Sequence, residues 1–190
     1  MPPSIIKPLK DVTLVCGKPL KLDVVAQGVP QPTVKWYRDE NLLEETEFII
    51  ETKEKASSLS VKETQSVHTG VYKVVLENSA GILESISNVE IQTKPQFSPP
   101  SDISIRAGEE FNVPVLIDGK PSPKVKWLKD KKEIPSSLGL ISSENNNIYS
   151  LKMKESTTVL NGIYTITATN VAGTETANFR VLVSGKSTII

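Results

Sequence analysis

Few residues in this chain could do chemistry. Its 190 residues include one histidine, His68, and one cysteine, Cys16. A Cys/His zinc site or a disulfide framework needs more of both, so neither can be built. A serine nucleophile would need His68 as its base, and no Ser–His–Asp arrangement is legible around it. A Cys–His pair exists only if Cys16 and His68 meet in space. Gly139 and its neighbours lack the spacing of a phosphate loop, and Asn145–Asn147 reads as a turn rather than as metal ligands. The expectation is no catalytic residue, no metal site and no cofactor. His68 reads as a solvated turn residue in preference to a pH switch.

Composition narrows the remaining roles. Apolar residues make up 38% and charged residues 23%, the profile of a globular chain and not of a disordered tail. Twenty-two basic residues balance 22 acidic ones, which argues against nucleic-acid binding. A lysine cluster exists at Lys124, Lys126, Lys129, Lys131 and Lys132, but no aromatic side chains interleave with it as a single-strand binder would require. No run approaches the length of a membrane span, and the opening MPPSIIKPLKDV has no apolar core of a secretory signal.

The elements that would position any site come from an internal repeat. GVPQPTVKWYRD from Gly28 matches GKPSPKVKWLKD from Gly119, and Trp36 to Trp127 is 91 residues. Gly17 and Gly108, and Ile6 and Phe97, keep that spacing. Gly70-Val71-Tyr72 matches Gly162-Ile163-Tyr164 at 92, as does Asn78–Gly81 with Asn170–Gly173. A period this long is a small domain, not a solenoid unit. Two homologous domains follow, 1–93 and 94–190, with the linker at Thr93, Lys94 and Pro95. No Gly/Ser tract lies there, and Pro95, Pro99 and Pro100 favour extended backbone, so a semi-rigid rod is expected. Cys16 matches Ala107 in the second domain and reads as a small residue at the end of an edge strand.

Within each domain the apolar period is two. Leu20, Leu22, Val24 and Ala26 alternate with Lys21, Asp23, Val25 and Gln27; Tyr72, Val74 and Leu76 alternate with Lys73, Val75 and Glu77. Phe111/Val113/Val115, Val125/Trp127, Leu151/Met153 and Tyr164/Ile166/Ala168 repeat the pattern. Such runs are half-buried strands, and thirteen scattered prolines oppose long helices. About seven short strands per domain give an all-β fold, two antiparallel sandwiches.

Three motifs carry a family resemblance. A core Trp (Trp36, Trp127) follows a Gly-x-Pro-x-Pro turn, a Gly-x-Tyr (Tyr72, Tyr164) sits where a tyrosine corner belongs, and an Asn-x-Ala-Gly turn comes next. Together they resemble the I-set immunoglobulin domains of the giant muscle proteins, the titin, twitchin, obscurin and myosin-binding protein C family, with a titin-like protein the best match. The resemblance covers nearly the whole chain. It implies two tandem immunoglobulin-like sandwiches, here without disulfides. The family's paired cysteines would fall at Val24 and Val74, and at Val115 and Ile166, all aliphatic in this chain. A disulfide contributes about 2–4 kcal/mol, which β-branched core packing, at about 1.5–3 kcal/mol per buried side chain, must offset. The missing cysteines, and the absence of any Asn-x-Ser/Thr acceptor, favour a reducing cytoplasm over the cell surface. The acidic residue common before the corner Tyr is replaced by His68 and Leu160, which puts a buried turn salt bridge in doubt in both domains.

Function then follows as an expectation. The resemblance implies a cytoplasmic, sarcomeric segment that acts as mechanical spacer and docking surface, with terminal strands near Asp11–Val15 and Glu84–Ile91, and their counterparts, pairing to resist tension. Its partners would be proteins: neighbouring domains of the same chain, a sarcomeric filament or signalling proteins. Several relatives carry a kinase domain elsewhere in the parent; nothing here performs that chemistry. Residues 1–93 hold 10 basic and 13 acidic side chains, residues 94–190 hold 12 and 9. Glu40, Glu44, Glu45 and Glu47 in the first domain, and Lys126, Lys129, Lys131 and Lys132 in the second, are the candidate docking charges. The alternative is a specific recognition module that binds a partner at a strand edge or in the inter-domain crevice. The terminal Ser187-Thr188-Ile189-Ile190 has the hydroxyl-x-apolar look of a PDZ ligand but reads more simply as a tail or a cut end.

Overall fold

A computed structural model describes residues 1–185. The C-terminal motif at 187–190 lies outside the described residues. The chain divides into two compact units, Met1–Gln92 and Thr93–Ile190.

The first unit opens with β1 (Ser4–Lys7), β2 (Val12–Val15), β3 (Leu20–Gln27), β4 (Thr33–Arg38) and β5 (Asn41–Leu42). It continues with β6 (Ile49–Lys53), β7 (Ala56–Val61), β8 (Gly70–Asn78) and β9 (Gly81–Gln96). One sheet runs β1-β3-β7-β6; the other places β9, β8, β4 and β5 side by side, with β2 parallel to β9. The second unit has β10 (Ile103–Arg106), β11 (Phe111–Leu116), β12 (Asp118–Lys120), β13 (Lys124–Lys129) and β14 (Lys132–Glu133). After these come β15 (Ile141–Asn145), β16 (Ile148–Met153), β17 (Gly162–Asn170) and β18 (Gly173–Ser184). Its sheets are β11-β16-β15 and β10-β18-β17-β13-β14, while β12 pairs with the last residues of β9 (Asp118 with Gln96, Lys120 with Thr93). The fold is all-β; besides strands, the described residues form three short 3₁₀ turns, at Ser66–His68, Ser136–Leu138 and Thr158–Leu160.

Period-two patterning explains the layers. Along β3, Leu20, Leu22, Val24 and Ala26 are buried while Lys21 and Gln27 are exposed. β17 buries Tyr164, Ile166 and Ala168 in the same way. Val24 and Val74 share the first unit's core at 1% and 0% exposure; Val115 and Ile166 share the second's at 4% and 0%. Across the ladder Trp36 stands opposite Val74 and Trp127 opposite Ile166. With one cysteine in the chain, no bridge closes either sandwich, and aliphatic packing occupies those positions.

The hairpin turns are built alike. Asp39-Glu40 and Asp130-Lys131 both hold positive φ, the mirror-image turn that suits the twist of paired strands. Each turn aspartate accepts a backbone N–H from the adjacent strand, Val71 N–H at 2.9 Å and Ile163 N–H at 3.0 Å. The carboxylate lies so close to Gly70 and Gly162 that a Cβ there would sit 2.7 and 2.8 Å from it and would displace the aspartate from its N–H partner; Gly162 also holds a positive φ.

Candidate mechanical clamp and docking surfaces

In each unit a strand near the start pairs in parallel with the last long strand. β2 pairs with β9 from Val12–Val89 to Val15–Gln92, and β10 with β18 from Ile103–Val181 to Arg106–Ser184. Matching groups lock both ends of each pair. Asp11 Oδ1 accepts the Asn88 N–H at 2.7 Å, and Asp102 Oδ1 accepts that of Arg180 at 2.7 Å. Cys16 N–H donates to Gln92 O, and Ala107 N–H to Ser184 O, each at 2.8 Å. Cys16 is exposed; its Sγ lies 3.3 Å from Thr64 O and nowhere near a metal-ligand cluster, of which there is none among the described residues.

The corner and loop motifs are hydrogen-bonding devices. Tyr72 OH donates to His68 O at 2.8 Å and Tyr164 OH to Leu160 O at 2.9 Å. Burial pushes both phenols above their ordinary value, Tyr164 further than Tyr72. The Asn of Asn-x-Ala-Gly has a larger role than its turn signal indicates. Asn78 Oδ1 accepts the Ala80 N–H while Nδ2 donates to Pro30 O and Met1 O; Asn170 does the same with Ala172, Pro121 and Thr93. One amide thus ties the hairpin turn, the proline turn and the entering chain together.

The environment of His68 corrects the reading of a solvated turn residue. The residue is 5% exposed, with Phe48 packed edge-on against the ring at 6.0 Å. Nδ1 accepts the Gln65 N–H at 2.7 Å, and Nε2 lies 3.3 Å from Glu47 Oε1. Arg38 Nη1 stands 3.6 Å from the same carboxylate oxygen, and its guanidinium lies over the Phe48 ring. The first unit therefore has a polar turn cluster, in which the Glu47 carboxylate faces both the His68 imidazole and the Arg38 guanidinium, in place of the usual acid. In the second unit Leu160 is fully buried and fills the space with hydrocarbon.

The two tryptophans also differ. Trp36 is 2% exposed and its Nε1–H donates to Ser57 Oγ at 2.9 Å. Trp127, expected in the core, is only half-buried; it packs edge-on against Phe179. Its indole also lacks the partner that Trp36 has: Ser57 pairs with Val24, whereas Tyr149 stands at the matching place opposite Val115 and its hydroxyl donates to Pro123 O at 3.2 Å.

Half of the candidate docking charges are engaged within their own unit. Glu40 takes Lys73 at 2.6 Å and holds that ammonium above its usual value; Glu47 faces His68 and Arg38. Lys126 reaches Glu133 at 2.7 Å and Lys129 reaches Asp130 at 2.8 Å, holding both carboxyls below their usual range. Glu44, Glu45, Lys131 and Lys132 are exposed, and none has an opposite charge within 4 Å among the described residues.

The family model described as "Immunoglobulin I-set domain" matches residues 3–91 and 95–183. Human hemicentin-1 is 29% identical over 194 residues, covering 100% of this chain and 3% of that protein. Titin of Drosophila melanogaster is 27% identical over 177 residues, covering 90% of this chain and 1% of its own length. Among solved structures, the titin A168–A169 pair superposes with a TM-score of 0.79 at 20% identity, covering 97% of this chain and all of that one. The chain thus spans a few per cent of the length of the curated relatives it matches.

Proposed function

Because the chain belongs to the immunoglobulin I-set family, as two such domains in tandem with titin among its homologues, we propose that it serves as a mechanical spacer and protein-docking segment of a titin-like sarcomeric protein in the cytoplasm. The observation that carries this reading is the parallel pairing of β2 with β9 and of β10 with β18. Tension applied to the two ends of a unit pulls such strands past one another, so the ladder bonds bear the load together and do not open one at a time. Asp11 and Asp102 add a side-chain bond at the start of each pair. The compartment is argued from the core: aliphatic residues stand at the four positions where a bridge would cross, so a reducing medium removes nothing from either sandwich. Unpaired Glu44 and Glu45 on one unit, and Lys131 and Lys132 on the other, are the charges free to meet a filament or a neighbouring protein.

Single-molecule pulling of the whole chain tests the mechanical half. Two separate force peaks are expected, with Asp11→Ala lowering one and Asp102→Ala the other. Smooth extension without peaks would refute the spacer role. A tagged copy expressed in muscle cells tests location; exclusion from the sarcomere would refute that part.

A further inference from the structure

The second unit opens on one side, between β14 and β15, into a groove of about 300 Å³. Trp127, Leu140, Leu151 and Ile134 form its apolar floor, Ser142 one wall and the Lys126–Glu133 pair the other. At the matching position in the first unit Phe48, just before β6, is buried, whereas Leu140, just before β15, is half-buried. The Trp127 indole N–H makes no hydrogen bond among the described residues and is not buried, and the ring lines the groove.

Beside the groove runs an unguarded strand. β15 is the last strand of β11-β16-β15, so its outer edge has no strand partner among the described residues. Every residue in it is exposed. Its sequence, Ile-Ser-Ser-Glu-Asn, contains neither the lysine nor the proline that usually blunts an edge; β6, its counterpart, carries Lys53. Across the groove, the β13–β14 hairpin is basic. Lys126 and Lys129 engage Glu133 and Asp130, and Lys124, Lys131 and Lys132 have no carboxylate within 4 Å among the described residues. The one acid on β15 is Glu144, so the balance around the opening stays positive.

We propose that this cleft is a docking site for an extended acidic segment of a partner protein, which adds to β15 as a further strand and seats one bulky apolar side chain on Trp127. A free strand edge selects extended backbone, the apolar floor selects a large hydrocarbon side chain, and the unpaired lysines select aspartate and glutamate. The groove is near the lower limit of small-molecule pockets, which suits a side chain better than a cofactor. The proposal deepens the docking half of the function above and leaves the mechanical half untouched.

The test uses the full chain, labelled with ¹⁵N, and a short synthetic peptide with alternating Thr and Val, one central Phe and Asp/Glu at both ends. Saturable binding is expected, with shifts of the Trp127 indole N–H and the β15 amides. Ser142→Arg, at an exposed position, should weaken binding about tenfold. Lys131→Glu with Lys132→Glu should weaken it about threefold and flatten its salt dependence. Leu140→Phe, which fills the groove with the residue the first unit uses, should abolish the Trp127 shift. Replacing the peptide's Phe with Ser should remove binding. Equal affinity for wild type and Ser142→Arg, shifts confined to residues 1–92, or no saturation would each overturn the proposal. So would a concentration-dependent dimer whose contacts cover β15, since a second copy would then be the occupant. Any of these failures would leave the pulling result as it stands.

Discussion

The two units have the same strand plan and stabilise it by different chemistry. The first anchors its interior with polar groups: Trp36 to Ser57, His68 to Gln65 and Glu47, and Ser85 and Ser87 to the chain between β1 and β2. The second replaces these with rings and hydrocarbon. Phe179 stacks on Tyr164 at 5.5 Å and meets Trp127 edge-on, Phe111 lies 6.2 Å from Tyr164, and Leu160 fills the turn. Buried hydrogen bonds fix direction as well as distance, whereas apolar packing depends mainly on volume. The first unit consequently closes around its tryptophan, and the second leaves one side open.

The sharpest way to break this contrast is to remove each tryptophan. Trp36→Ala should cost about 3–5 kcal/mol, as for a fully buried ring, and Trp127→Ala about 2 kcal/mol, because part of its surface is already wet. Denaturant titration of the whole chain should show the loss confined to one transition each time. Equal costs would mean that the second groove is closed in solution, as would equal acrylamide quenching of the two indoles.

Exchanging the turn residues sharpens it next. Leu160→His places an imidazole where no Glu47 equivalent waits and should destabilise the second unit by about 2 kcal/mol. His68→Leu leaves the Gln65 N–H without its acceptor and should cost the first unit about 1–2 kcal/mol. If His68→Leu were neutral, the polar cluster would be incidental to that unit's stability.

The tyrosine corners should respond alike in kind. Tyr72→Phe and Tyr164→Phe each remove one buried hydrogen bond, for about 1 kcal/mol. Both phenols are raised in the folded state, so their contribution is complete below the unfolded value of 10.0 and is lost as pH climbs beyond it. Thermal melts between neutral and strongly alkaline pH should fall more steeply for the second unit, where no guanidinium opposes the burial of the phenol as Arg38 does at Tyr72. Tyr164→Phe should flatten that slope; an unchanged slope would count against the buried phenol as its cause.

The smallest effect belongs to the exposed turn aspartate. Asp130 is held below its ordinary range by Lys129 first and then by the Ile163 N–H. Its stabilisation is present above the unfolded carboxylate value and fades as acid protonates it. Asp130→Asn should reduce the acid sensitivity of the second transition and leave the first unchanged.

Much of this was legible in the residues. Alternation located the strands, and the spacing of Trp36, Tyr72 and Asn78 against Trp127, Tyr164 and Asn170 gave the repeat, because each occupies a fixed place in a two-sheet plan. His68 looks solvated in the sequence because it stands in a turn beside Thr69 and Gly70; Phe48, twenty residues away, is what covers it. The motif marks Trp127 as a core residue, and it does pack against the core; that it stays half-buried and without an indole partner is set by residues distant in the chain, which its own segment does not reveal. The groove gave no signal at all: Leu140, Ser142 and Trp127 are unremarkable until two strand edges part beside them.

Period-two hydrophobicity, a doubled set of turn motifs and a single cysteine determined by themselves that the chain makes two all-β sandwiches closed without sulfur. These are local properties, fixed by which face a side chain takes and by which backbone a turn residue permits. Tertiary structure alone decided which polar groups meet, which charges stay free and where a core is left open. Those outcomes depend on side chains far apart in the chain competing for the same space, and no single stretch of sequence contains both competitors.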